Sequence, residues 1–268
     1  MVLLASILTV VGCGTGVNLL SKSDDIQLGQ KMQAQIAADP AHYPVLNNPN
    51  VTSYIQGIVN TIVSSPNVKN KDFRYVATVI NDDKTVNAFA VPGGPIYVYT
   101  GLIKFIDNEA TLAGILAHEI THVDHRHSSE QISQQYGLQI LSSVIVGQTA
   151  NNGVLSSIVQ YTTAAGGALA SLRFSRNDER DADKTSFEDL MALPGRPWYP
   201  AGIKYFMIKT VPMEGKGSTA FSKNFSTHPP SQERLDAVNK QARDAKLAEP
   251  NENQLKTAEL QRIKGMLQ

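Results

Sequence analysis

Two histidines four residues apart, in His118-Glu119-Ile120-Thr121-His122, constrain this chain more than any other feature. On an α-helix four residues advance about 6 Å and return to nearly the same face, so both imidazoles can reach one ion. Glu119 stands beside them as a carboxylate able to take a proton. Neutral nitrogen donors around an open coordination position are the setting in which zinc lowers the pKa of bound water to about 7. The flanking residues predict a buried helix: Asn108 as cap, Glu109 in the first turn, then Ala110, Leu112, Ala113, Ile115, Leu116 and Ala117. His125 and His127 continue past the motif but fall off its helical phase. They are expected to face solvent or to stand behind the metal ligands.

A catalytic zinc needs a third protein ligand, and cysteine does not supply one, because the only cysteine is Cys13 in an apolar leader. The best candidates lie at residues 173–183. Ser175 or Asn177 can cap a helix there, and Glu179 and Asp183 share one face at i and i+4. Two carboxylates so placed repel each other unless a cation lies nearby. Without one, the stretch reads as a solvated face of mixed charge.

The rest of the chain predicts further elements. Residues 76–80 and 96–99 are short β-branched and aromatic runs separated by Asp82-Asp83, Pro92 and Gly93-Gly94, the pattern of strands joined by turns. An edge strand beside the metal could accept an extended peptide by backbone hydrogen bonds; an ordinary hairpin packed on the core is the alternative. Helices are expected at 24–38 and 51–63, two more within 138–172, and others near 201–209 and 231–247, with a charged tail after Pro250. His228 precedes two prolines and follows Glu214-Gly215-Lys216-Gly217-Ser218-Thr219, so it sits on a segment able to cover a cleft.

Zero net charge, with 24 basic and 24 acidic residues scattered along the chain, argues against a nucleic-acid partner. With 42% hydrophobic residues, 268 residues can bury a substantial core. The simplest partition is a leader and tether at 1–22 and a single domain at 23–268. The leader ends in Val10-Val11-Gly12-Cys13, which looks like a lipoprotein cleavage box with Cys13 as lipid anchor, although no Lys or Arg precedes it. An uncleaved apolar anchor is the alternative.

Four separated blocks carry a resemblance. They are Asn87-Ala88-Phe89-Ala90-Val91-Pro92-Gly93-Gly94 with the following residues to Leu102, the histidine motif with Arg126-His127-Ser128, Phe174-Ser175-Arg176 through Asp183, and Thr227-His228-Pro229-Pro230-Ser231 with Arg234. In order and spacing they resemble zinc metallopeptidase family 48, the CAAX prenyl-protease, HtpX and periplasmic BepA and LoiP type. The resemblance implies an α+β, mainly helical, zincin-like fold with a small β-sheet beside the HExxH helix, and one Zn²⁺ per chain. It implies His118, His122 and Glu179 as metal ligands, Glu119 as general base, and Asp183 as the group orienting a ligating histidine. Asn87, Ala88, Phe89 and Ala90 would line the substrate groove. His228 would either steady the oxyanion or occupy the water position, and Arg234 would support the oxyanion or pair with a helix carboxylate. The implied activity is endopeptidase action on unfolded or misfolded cell-envelope proteins, in contact with outer-membrane assembly machinery. Gly14 after Cys13 implies lipid anchoring to the outer membrane on the periplasmic side. A non-proteolytic zinc-containing binding factor is the competing reading.

Overall fold

The computed structural model describes residues 18–145, 174–213 and 228–267. Cys13, the leader and the segment 214–227 lie outside the described residues, as does most of the 138–172 stretch read as two helices.

Helix α1 (Lys22–Ala37) begins at Ser21, whose side chain accepts from the Asp24 N–H while Asp24 accepts from the Ser21 N–H, a reciprocal cap. Helix α2 (Pro49–Val63) is capped by Asn48 and has proline at its first position. Its Val51, Ile55, Ile58, Val59 and Ile62 form one apolar stripe, fully buried against the sheet and the metal-motif helix.

Three strands follow, β1 (Ala77–Ile80), β2 (Ala88–Ala90) and β3 (Ile96–Tyr99), in the order β1-β3-β2. The central β3 is buried throughout. It runs parallel to β1, with Ala77 opposite Ile96, and antiparallel to β2, with Ala88 opposite Val98. Alternation divides its side chains between two cores. Ile96 and Val98 join the main core, while Tyr97 and Tyr99 join Phe89, Leu28 and Met32 under α1. The turn from β2 to β3 needs Gly93 (φ 78°) and Gly94 (φ 122°), and a Cβ on Gly94 would collide with the Arg74 backbone.

After the short α3 (Thr100–Phe105) comes α4 (Glu109–Asp124), in which every residue is buried. Asn108 caps it through the Thr111 N–H. The chain leaves α4 at His125, turns through Arg126 in the left-handed region (φ 61°), and starts α5 (His127–Ile145) at once. Helix α6 (Arg176–Ala192) packs along α4, and α7 (Ile203–Thr210) and α8 (Gln232–Asp244) close the core around them.

The expected charged tail is instead two short helices, α9 (Glu252–Leu255) and α10 (Thr257–Lys264), with Leu260 and Ile263 buried in the main core. Leu260, Ile263 and Leu267 recur there at helical spacing, a short period among charged residues. Docking is polar as well as apolar: Lys256 reaches the buried Glu109 at 3.3 Å, which also accepts from Trp198 Nε1 at 2.5 Å and Tyr54 Oη at 2.7 Å. Glu109 therefore anchors three elements, beyond the dipole role its sequence position suggests. Among the described residues no helix is long and apolar enough to cross a membrane.

Candidate functional site

Helix α4 sets His118 and His122 one turn apart with their Nε2 atoms 3.1 Å from each other. Helix α6 supplies the carboxylates. Its start is fixed by Ser175, which accepts from the Asp178 N–H in a second reciprocal cap. From there Glu179, Ala182, Asp183 and Ser186 face inward, all buried, and the two small residues leave room for α6 to approach α4. The acidic face read from the sequence as either solvated or cation-bound is thus turned away from water. Glu179 lies 3.5 Å from His118 Nε2 and 3.6 Å from His122 Nε2. His228, on the segment leading into α8, places Nδ1 3.3 Å from His118 Nε2 and 2.7 Å from Glu179, with its Nε2 3.5 Å from Glu119.

These donors fit a metal ion. One ligand atom from each of His118, His122, Glu179 and His228 lies within 4.8 Å of all the others. Tetrahedral zinc with bonds near 2.0–2.1 Å holds its donors roughly 3.3 Å apart. Imidazole nitrogens and a buried carboxylate converging on one point are a donor set that suits a divalent cation.

The charged groups of the site perturb one another strongly. Burial pulls the His118 pKa down, but hydrogen bonds to Asp183 and Glu179 outweigh it and raise it to about 9. His122 goes the other way, held well below the usual histidine value by burial and then by the neighbouring His118 and His228. Burial pushes Glu119 above the usual carboxylate range, against the lowering effect of His228. Burial resists ionisation of Glu179 as well, yet His228 and His118 hold its pKa far below the usual value.

Behind the donors stand two unequal supports. His118 Nδ1 meets Asp183 at 3.0 Å. Asp183 accepts two bonds from Arg234, at 2.7 Å from Nε and 2.8 Å from Nη2. Arg234 Nη1 reaches Glu179 at 2.6 Å and donates to the Pro229 carbonyl at 3.1 Å, so one guanidinium ties α6 to the His228 segment. Of the two positions open to Arg234 in the sequence, the structure places it against helix carboxylates. The other support is His127, whose Nδ1 lies 3.0 Å from His122 Nδ1, and Asp181, 3.3 Å from His127 Nε2 and hydrogen-bonded to His125. Phe174 lies against both His122 and His228, with ring centroids 3.9 Å and 5.0 Å away.

The edge strand β2 borders the site. Asn87 and Ala88 line an apolar pocket with Leu102, Ile115, Phe206 and Met207, open toward His118, Glu119 and His228. The Ala90 backbone bonds Glu119. Phe89 points to the opposite face and stacks on Tyr97 at 4.8 Å in the second core, leaving only its backbone at the edge.

Of the two positions read for His127, in solvent or behind the metal-facing histidines, the structure gives the second, against His122. The break at His125 and Arg126 brings the ring back onto His122. Asp181 carried a weak signal, as the acid midway between Glu179 and Asp183, and Phe174 carried one in its place directly before the cap.

The family model for peptidase family M48 matches residues 49–242. The beta-barrel assembly-enhancing protease of Yersinia pestis is 26% identical over 186 residues, 67% of this chain and 36% of that protein. Its counterpart in Escherichia coli K12 is 33% identical over 131 residues, 49% and 26% of the two chains. The mitochondrial metalloendopeptidase OMA1 of Schizosaccharomyces pombe is 29% identical over 196 residues, 73% and 52%. The match therefore spans between about a quarter and a half of these relatives.

Proposed function

Since the chain belongs to peptidase family M48, we propose that it is a zinc-dependent endopeptidase acting on unfolded or misassembled proteins of the bacterial cell envelope. The observation that carries this reading is the meeting of His118, His122 and Glu179 within 3.1–3.6 Å of one another beside the buried Glu119.

His118, His122 and Glu179 would hold the ion, which when bound supplies Lewis-acid activation of water and of the scissile carbonyl. The protein's own groups do the rest. Glu119, biased by burial toward holding a proton, takes one from the attacking water and returns it to the leaving amine. The backbone of β2 aligns an extended peptide with little demand on its side chains, which suits unfolded clients. The apolar pocket beside Glu119 takes an apolar side chain next to the cleaved bond. His228, whose Nδ1 lies against His118 Nε2 and Glu179, would cover the ion in the resting site and move aside for substrate.

The periplasmic setting, lipid attachment through Cys13 and contact with outer-membrane assembly machinery belong to the same proposal. Their support is the cleavage box in the sequence and the name of the beta-barrel assembly-enhancing protease relatives.

The test compares hydrolysis of a reduced, unfolded protein by zinc-loaded wild type and by Glu119→Gln at equal zinc content. The expected loss is about 10²–10⁴-fold in kcat. Equal cleavage removes Glu119 as the base. If wild type, Glu119→Gln and His228→Ala are all inert with zinc bound, the protease reading fails and a binding role gains.

A further inference from the structure

The HExxH geometry accounts for the metal-facing nitrogen of His122 but not for what its other nitrogen meets. A neutral imidazole that offers its Nε2 lone pair to a metal carries its proton on Nδ1. At His122 that proton points at His127 Nδ1, 3.0 Å away, with the rings at 75°. His127 can accept it only with its own lone pair on Nδ1 and its proton on Nε2. That proton faces Asp181, 3.3 Å away. The same oxygen, Asp181 Oδ2, also meets His125 Nδ1.

We infer that His127 and Asp181 are positioning residues that set the tautomer and orientation of His122, forming a His122–His127–Asp181 chain parallel to the His118–Asp183 pair. The inference rests on the metal-site reading of His122 but not on peptidase activity. Burial agrees with it: His127 is buried beneath the site, while Asp181 keeps 43% of its side chain in solvent, so the chain links a buried ligand to the surface.

The same three residues, His125, His127 and Asp181, also group as a possible second metal site. Tautomer chemistry sets the two uses against each other. A metal on His127 Nε2 needs the lone pair there and the proton on Nδ1, where it would face the Nδ1 proton of a metal-bound His122. A loaded first site therefore disfavours a second ion at His127.

The experiment measures zinc affinity by chelator competition, zinc stoichiometry, the visible spectrum of the cobalt-substituted protein and unfolding of the metal-free form. His127→Leu removes the acceptor. His127→Asn restores an oxygen near the position of Nδ1. We expect one zinc per chain in wild type, weakened about 10- to 100-fold in His127→Leu with a shifted cobalt spectrum. We expect most of the affinity to return in His127→Asn, with Asp181→Asn between wild type and His127→Leu. Wild-type affinity in His127→Leu overturns the inference. So does equal weakening in His127→Leu and His127→Asn, which would mark a packing role, and so does a second zinc in wild type that His127→Leu alone removes. If no variant cleaves protein but affinities grade as expected, the inference stands while the peptidase reading falls.

Discussion

The two histidines of one helical turn are held in opposite ways. His118 is backed by Asp183, itself gripped by Arg234, and all three are buried. His122 is backed by a second histidine and then by an acid that is 43% exposed. Burial and ion pairing lock the first side, since breaking a buried pair leaves an uncompensated charge. The second is buried at His127 but ends at the half-exposed Asp181, where screening weakens the last contact. The pair thus combines a histidine with a fully buried support and one whose support ends at the surface.

The largest expected effect lies on the closed side. Arg234→Ala strands Asp183 and Glu179, and should cost about 3–5 kcal/mol in urea unfolding of the metal-free protein. A loss below about 1 kcal/mol would erase the contrast. The next effect is in pH. The His118 pKa is raised to about 9 in the fold, so its proton stabilises metal-free protein fully below about pH 6.5, and that stability is lost as pH rises through 9. Metal-free protein should therefore lose roughly 3 kcal/mol between pH 6.5 and 9.5, whereas zinc affinity rises over the same range because binding displaces that proton. A flat profile in metal-free protein would mean that His118 is neutral before zinc arrives. The smallest effect lies on the open side. Asp181→Ala should change metal-free stability by at most about 1 kcal/mol, and less in high salt. A change comparable to Arg234→Ala would make the two sides equivalent.

Much of the site is legible wherever the chemistry is local. Asn108, Ser175 and Ser231 each cap the helix expected after them, because a cap needs only a short polar side chain and the amides of the next turn. The spacings 118/122 and 179/183 declare shared faces on their own. The apolar stripe of α2 and the two short strands were visible for the same reason. Less legible were features that depend on where a helix stops. His127 faces His122 only because Arg126 adopts a left-handed backbone and reverses the chain. Helices α9 and α10 are held by Glu109, Trp198 and two buried apolar residues, contacts between sequence positions far apart.

By itself the sequence determined the HExxH donor pattern, the helix that presents it, and the pair of acids on a second helix, since donor type and helical period are properties of short segments. Tertiary structure alone decided that those acids face the histidines instead of water. It also decided that Arg234 pairs with Asp183 and Glu179, that His228 meets His118 and Glu179, and that one histidine is backed by a buried ion pair and the other by a second histidine and an exposed acid. These depend on which helices pack together and on which side chains lose their water, and no local pattern encodes that choice.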